Sequence, residues 1–211
     1  MSFSSESIVS PNELDLLIST RRTSKPSDFD GRSPDREIVR ACVDVARKAP
    51  NHHRTEPARF YLLDDRQIGE VAKINAERVA GDCPTTDTLE RATRKQKEWG
   101  ESPGLLVVTC HTDLDSDLVR TKPTVVREDY AAVCCMTQNL LLLLHNLGIA
   151  TKWSTAPIED HPRFAEIVGL KFGKPNEYVV ALVFHGYTSV PANERSFLEL
   201  GDILVDGAAN E

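Results

Sequence analysis

"AAVCCMTQNLLLLLHNLG", residues 131–148, is the stretch whose reading decides the fold. It lies in a helix predicted over 124–147, and its apolar side chains fall on nearly every side. A helix with one apolar stripe lies on a core, whereas one that is apolar all round is covered on every side. The chain has 211 residues, enough for one domain of ordinary size. In so short a chain, the expected cover for the second side of this helix is another copy of the chain. Gly148 ends the helix. Its longest apolar runs, Tyr130–Met136 and Leu140–Leu144, are broken by Thr137, Gln138 and Asn139. They are too short to cross a bilayer.

Working outward, "GLLVVTCHT" (104–112) is a continuous apolar, β-branched run, the mark of a strand buried on both faces. "IATKWSTA" (149–156) reads as a short strand, "EDHPRFAEIVGL" (159–170) as a helix and "NEYVVALVFHGY" (176–187) as a strong strand. Toward the N-terminus, "PNELDLLIST" (11–20) is a short helix followed by the turn-rich "RRTSKPSDFDGRSP". "SPDREIVRACVDVARKAP" (33–50) opens on Ser33 and Pro34, repeats Ile38, Val39, Cys42, Val45 and Ala46 at helical spacing, and stops at Pro50. "ARFYLLDD" is a short strand and "RQIGEVAKINAERVAG" a helix ended by glycine. "TTDTLERATRKQKEWGES" is a polar helix, and the poor apolar content of 81–103 marks an excursion, not a second domain. Alternating helices and strands without repeat or linker give a single domain over 1–211, α/β or α+β, with polar tails at about 1–10 and 205–211.

Apolar residues make up 40% of the chain and charged residues 27%, which suits a folded core. The net charge of −7 excludes bulk nucleic-acid binding, and an anionic ligand needs a local cluster of cations. The stretch "MSFSSESIVSPNELD" has no basic start and no apolar core, so no secretory signal is expected and the cytoplasm is the expected compartment. The five cysteines, Cys42, Cys83, Cys110, Cys134 and Cys135, are odd in number and lack a C-x-x-C pair, which fits reduced thiols. Adjacent Cys134 and Cys135 read as small core residues. No G-x-G occurs, and "GLKFGK" (169–174) is one residue short of a phosphate loop and runs into Pro175. "DLDSD" (113–117) begins like a calcium loop but has Leu118 and Thr124 where glycine and glutamate belong. Neither H-E-x-x-H nor G-x-S-x-G is present.

Three polar motifs remain. Arg21, Arg22 and Thr23 follow the first helix. Two guanidiniums and a hydroxyl can fork around a phosphate, although cations also suit a helix C-terminus. "APNHHRTEPARF" (49–60) sets His52, His53, Arg54, Glu56 and Arg59 before a strand. This turn can present polar groups to a ligand or simply be exposed. Adjacent His52 and His53 should point different ways. No Cys, His or Asp partner stands near them at ligand spacing, so no metal site is expected. In "GIATKWSTAP" (148–157), Trp153 offers a flat face beside Ser154 and Thr155, with Lys152 as a nearby cation, although core packing would equally account for the tryptophan.

Taken in order, these stretches resemble the FMN-dependent nitroreductase family, most closely its compact bacterial members. The likeness runs through the helix before "RRT", then "ARKAPNHHRTEPARFYLLDD", "GLLVVTCH", "DYAAVCCMTQNLLLLLHNLGIATKWSTA", "VVALVFHGY" and the basic residue in "NERSF". The resemblance implies an α+β fold, with a mostly antiparallel sheet wrapped by helices. It implies an intertwined homodimer whose interface contains the long helix and binds two FMN molecules. It places Arg21, Arg22 and Thr23 on the FMN phosphate and ribityl chain, with Arg195 assisting. Lys48 and His52 match the loop that reaches FMN. Trp153, Ser154 and Thr155 match the segment against it, and Leu143–Gly148 match a region that meets the nicotinamide. Glu56 and Ala58 stand where the family pattern has Gln and Trp. The implied activity is electron transfer from NADH or NADPH to nitroaromatics, quinones or similar conjugated acceptors in a ping-pong cycle. Lys152 and Lys48 are the candidate cations for the reduced ring. The basic "RATRKQK" (91–97) is either an entrance for NAD(P)H or a solvated face. A flavin-binding or flavin-modifying member of the same fold, and a dimeric scaffold without catalysis, stay open as alternatives.

Overall fold

The computed structural model describes residues 11–205 and 207. Most of the two expected tails therefore lies outside the described residues. One antiparallel sheet runs in the order β1-β2-β4-β3, with β1 at Ala58–Leu62, β2 at Leu105–His111, β3 at Ala150–Ser154 and β4 at Glu177–Gly186. Helices α1 (Pro11–Thr20), α2 (Arg36–Ala46), α3 (Asp65–Ala80), α4 (Thr86–Gly100), α5 (Asp117–Thr121), α6 (Val125–Asn146), α7 (Phe164–Val168) and α8 (Leu200–Ile203) complete it. The α+β reading and the antiparallel sheet hold.

The sheet is covered on both faces, which is why β2 reads as an unbroken apolar run. Leu106, Val108 and Cys110 join Val39, Cys42, Val133, Leu140 and Leu144 in the core beneath α2 and α6. Leu105 and Val107 face the other way, with Ile68, Val71, Trp99 and Phe164 of α3, α4 and α7. Successive strand residues alternate faces, so covering both demands apolar residues at every position. Trp99 packs 4.9 Å from Phe184, ring to ring, so the polar-looking α4 belongs to this second core.

Some boundaries differ from the sequence reading. Helix α2 begins at Arg36 because Asp35, not Ser33, caps it by accepting the Glu37 amide at 2.8 Å. Helix α7 is shorter than 159–170, with Pro162 preceding it and Gly169 ending it in the left-handed region. Short α5, capped by the Ser116 hydroxyl, was not expected.

In α6 the correction concerns the cysteines. One chain buries only one face of it, through Val133, Met136, Leu140, Leu141 and Leu144. Ala131, Cys135 and Gln138, spaced three and four apart, are exposed on the opposite side. Cys135 is thus no core residue of the single chain, and Cys134 is only partly covered. Leu14, Leu16 and Ile18 of α1 are also open, at 48%, 62% and 53%. Among the described residues, no helix is long and apolar enough to cross a membrane.

Candidate functional site

The polar motifs gather at the two ends of α6. At its C-terminal end, Thr20 closes α1, and its hydroxyl lies 3.0 Å from His145 Nε2. Thr23 then forms a parallel bridge to Thr151, and the Ser24 amide donates to the Thr151 carbonyl at 3.0 Å. These backbone contacts stitch the arginine segment to the edge of β3, bringing Arg21, Arg22 and Thr23 beside Lys152, Trp153 and Ser154. Arg22 folds back, its Nη1 donating to the carbonyls of Ser19 at 2.5 Å and Arg21 at 2.9 Å. One Arg22 nitrogen therefore serves the end of the helix, as the dipole argument allows.

Arg21 is half-buried. Burial, and then the charges of Arg22 and Arg195, pull its pKa below the ordinary arginine range. Arg195 of the tail thus lies within the field of the same cluster. Burial, followed by Arg21 and Arg22, also lowers the pKa of His145. Among the described residues none of the three arginines has a salt-bridge partner. Arg21 thus sits in the repulsive field of two other guanidiniums on a chain of net charge −7, an arrangement that an anion would relieve. A recess of about 210 Å³, lined by Thr20, Arg22, Ser24, His145, Thr151 and Thr188 among others, opens there.

Strand β3 divides its candidates between two faces, because successive strand side chains alternate. Trp153 is half-buried and packs on the α6 side, so part of its ring serves the core. Lys152 turns to α4, where its Nζ is 3.5 Å from Glu98 Oε1, while Lys95 holds Glu98 Oε2 at 2.5 Å. Burial would raise the Glu98 pKa, but the Lys95 hydrogen bond and the Lys152 charge outweigh it and hold the carboxyl low. Ser154 is half-buried. Thr155 is exposed and lines a separate recess with Ala156, Pro157, Glu159 and Val179.

At the N-terminal end of α6 stands the loop after α2. Lys48 is exposed, its amide bonded to the Val45 carbonyl at 3.1 Å. The loop is strained, with φ of 54° at His53, 55° at Arg54 and 49° at Glu56. Asn51 pins it: Oδ1 accepts the Glu56 amide at 2.9 Å and Nδ2 donates to Thr55 Oγ1 at 3.1 Å. Thr55 donates in turn to Asp129 of α6, which also accepts from Thr112 at 2.7 Å. The two histidines do not diverge. Their ring centroids lie 4.1 Å apart, because the left-handed turn at His53 breaks the alternation of an extended chain. His53 Nε2 is 3.7 Å from Glu128 Oε2.

Sequence reasoning did not single out Asn51, Glu98, Glu128 or Asp129, and it reached His145 only within Leu143–Gly148. Asn51 carried a local signal, since Pro-Asn suits a turn closed by its own side chain. The others act across tens of residues and carried none. The two clusters do not meet within one chain. From Asp129 to His145 α6 rises by about 24 Å at roughly 1.5 Å per residue.

Residues 18–187 match the model of the nitroreductase family. This chain belongs to the nitroreductase family. It is 28% identical, over 71% of its length and 72% of the relative's, to a protein of Bacillus subtilis (strain 168) provisionally named an NAD(P)H nitroreductase, YfhC. The fold is that of a nitroreductase-like family protein from Bacillus cereus, with a TM-score of 0.72 at 20% identity, covering 98% of this chain and 97% of that one. A nitroreductase from Bacteroides fragilis with bound FMN superposes with a TM-score of 0.71 at 18% identity, covering 92% of this chain and 99% of that one.

Proposed function

We propose that this nitroreductase-family chain is an FMN-dependent oxidoreductase that moves electrons from NADH or NADPH to nitroaromatic, quinone or similar conjugated acceptors. One observation carries the reading: Arg21, held beside β3 by the Thr23–Thr151 bridge, feels the charges of Arg22 and Arg195, and among the described residues none of the three has a salt-bridge partner. A phosphate dianion offsets that repulsion, so the residues fit the phosphate of FMN. Arg21 and Arg22 grip it, with Arg195 closing over them, while Thr23 and Ser154 offer hydrogen bonds to the ribityl chain. Trp153 and Thr155 shape the wall beside it.

The Asp129-anchored end of the α2–β1 loop stands about 24 Å from His145 along α6, while its start lies at mid-helix, where the Ala46 carbonyl accepts from Asn139. In a two-fold dimer packed through the open face of α6, the arginines of one chain come to the loop of the other. Each of two sites then draws on both chains. Leu14, Leu16 and Ile18 of α1 supply further apolar surface for such an interface.

Bound FMN would supply the two-electron redox chemistry that links NAD(P)H to the acceptor in a ping-pong cycle. The chain anchors the phosphate, keeps one ring face open and supplies a cation for the reduced ring. Lys48 is the better candidate for that cation, because Lys152 is already paired with Glu98. No protein nucleophile is needed. The reading is tested with purified, FMN-loaded protein: anaerobic NADH or NADPH should bleach its flavin absorption, and a nitroaromatic or a quinone should restore it. Protein that takes up no FMN would overturn the reading in favour of a scaffold. Flavin that neither nucleotide bleaches would favour a flavin-modifying member of the fold.

A further inference from the structure

We propose that His52, His53 and Glu128 form a site for a first-row transition-metal dication of the zinc type, which clips the α2–β1 loop to the start of α6. One ligand atom from each residue lies within 4.8 Å of the other two. His52 and His53 are neighbours on the loop while Glu128 lies far along the chain on α6, and three features of the fold bring them together.

The first is the backbone. The left-handed turns at His53 and Arg54 fold two neighbouring imidazoles to one side, where an extended chain would splay them. Such turns are strained and persist where surrounding contacts enforce them. Asn51, Thr55 and Asp129 do so here. The second is the carboxylate. The Glu128 side chain is 37% exposed as a whole, yet its Oε2 is shut off from solvent and, among the described residues, accepts no hydrogen bond. A carboxylate oxygen in that position lacks a cation or a donor. The nearest basic atom, His53 Nε2, stands at 3.7 Å, beyond hydrogen-bond reach.

The third is the spacing. Zinc binds imidazole nitrogen and carboxylate oxygen at about 2.0–2.1 Å. An ion at that distance from both atoms of the 3.7 Å pair subtends about 130°. Closing the gap by about 0.4 Å reaches the tetrahedral angle. Two imidazoles and one carboxylate are a borderline donor set that selects zinc-like ions over calcium or magnesium. Three protein ligands leave the fourth position to water. The bound ion would lock the strained loop in place, because it holds the folded loop and not the unfolded one. The assignment is independent of flavin redox chemistry. It gives the His52 imidazole to the metal and leaves Lys48 as the group of this loop that faces the cofactor.

The test is calorimetric titration of Zn²⁺ into the full chain with its flavin content unchanged, after chelator treatment and buffer exchange. One Zn²⁺ per chain should bind. Affinity should fall by at least the ~10–100-fold that loss of even an outer-shell partner costs in His53→Gln, Glu128→Gln and His52→Gln. His161→Gln, at a histidine paired with Glu77 away from the cluster, should bind as the parent does. His52 is exposed, so its variant cannot fail merely by unfolding. Circular dichroism and thermal melting without metal check the other two. No stoichiometric binding by the parent, or equal affinity in His52→Gln and Glu128→Gln, would remove the site whatever the flavin does.

Discussion

The two ends of α6 are built on opposite plans. At the C-terminal end, the Thr23–Thr151 bridge and the Ser24 amide fix the arginine segment to the sheet edge by main-chain contacts. Its side chains are left as mutually repelling cations. At the N-terminal end the backbone is strained, and side chains, Asn51, Thr55 and Asp129, hold it. Rigid backbone with unpaired charge suits the gripping of a phosphate. A strained loop with locally closed hydrogen bonds suits the shaping of a wall. Neither end is a whole cofactor site, and α6 keeps them apart within a chain. On the proposed reading, a complete site draws on two chains.

Mixed dimers give the largest contrast. A chain with Arg21→Ala and Arg22→Ala is refolded with a chain carrying Lys48→Ala and Asn51→Ala. If each site joins the arginines of one chain to the loop of the other, the mixed dimer has one intact site and one doubly damaged site. Flavin binding should recover to about half the parental level, while either homodimer retains little. If both halves serve a site within one chain, no intact site exists and recovery is nil.

The sheet beneath the arginine end offers the next contrast. His185 pairs in register with Thr151, which bridges to Thr23. Burial lowers its pKa to about 4, from about 6.5 in the unfolded chain. Between these values the unfolded chain binds a proton that the folded chain does not, so stability is lost as pH falls from about 6.5 toward 4. The loss should approach about 3 kcal/mol, read by chemical denaturation across that range. His185→Gln, neutral throughout, should flatten the profile. An unchanged slope would place the acid sensitivity elsewhere. A third contrast separates the arginines themselves. Arg21→Ala should weaken FMN binding by roughly 10–150-fold, the worth of about 1.5–3 kcal/mol of charged hydrogen bonding. Arg22→Ala should lose less, because one of its nitrogens already serves the carbonyls of Ser19 and Arg21. Both should remain dimeric by sedimentation, and equal FMN affinity in parent and both variants would remove the phosphate assignment.

How much of this was legible follows from the range over which each signal acts. The β2 run and the α2 periodicity are local, and they gave the sheet and its cover. The position of "RRT" after a helix gave the arginine end without any structure. The α6 pattern pointed to two-sided cover, yet a sequence cannot say which face its own chain takes. Cys135 was therefore assigned to a core that one chain does not provide. The histidines misled for a different reason: alternation assumes extended backbone, and His53 leaves it. Glu98 stayed hidden because α4 looked like an excursion, while Trp99 next to it is a core residue. The pairing of Glu98 with Lys152 arises only when α4 folds over β3.

That pairing sets the smallest and last prediction. Lys152 has a charge partner and Lys48 has none among the described ion pairs, so they should tune a bound flavin unequally. Removing a cation that faces the reduced ring lowers the potential, because the anionic reduced form loses its stabilisation. About 1.4 kcal/mol corresponds to ~30 mV for a two-electron couple. Lys48→Met should therefore lower the midpoint potential by tens of millivolts at most, and Lys152→Met by less, since Glu98 already offsets that charge. Glu98→Gln sharpens the comparison. It frees Lys152 without removing it, so the potential should rise if this ammonium lies within reach of the ring. A potential unmoved by both Glu98→Gln and Lys152→Met would make the pair a clasp between α4 and β3. It would leave the loop end as the sole source of the cation, supplied to each arginine cluster by the other chain.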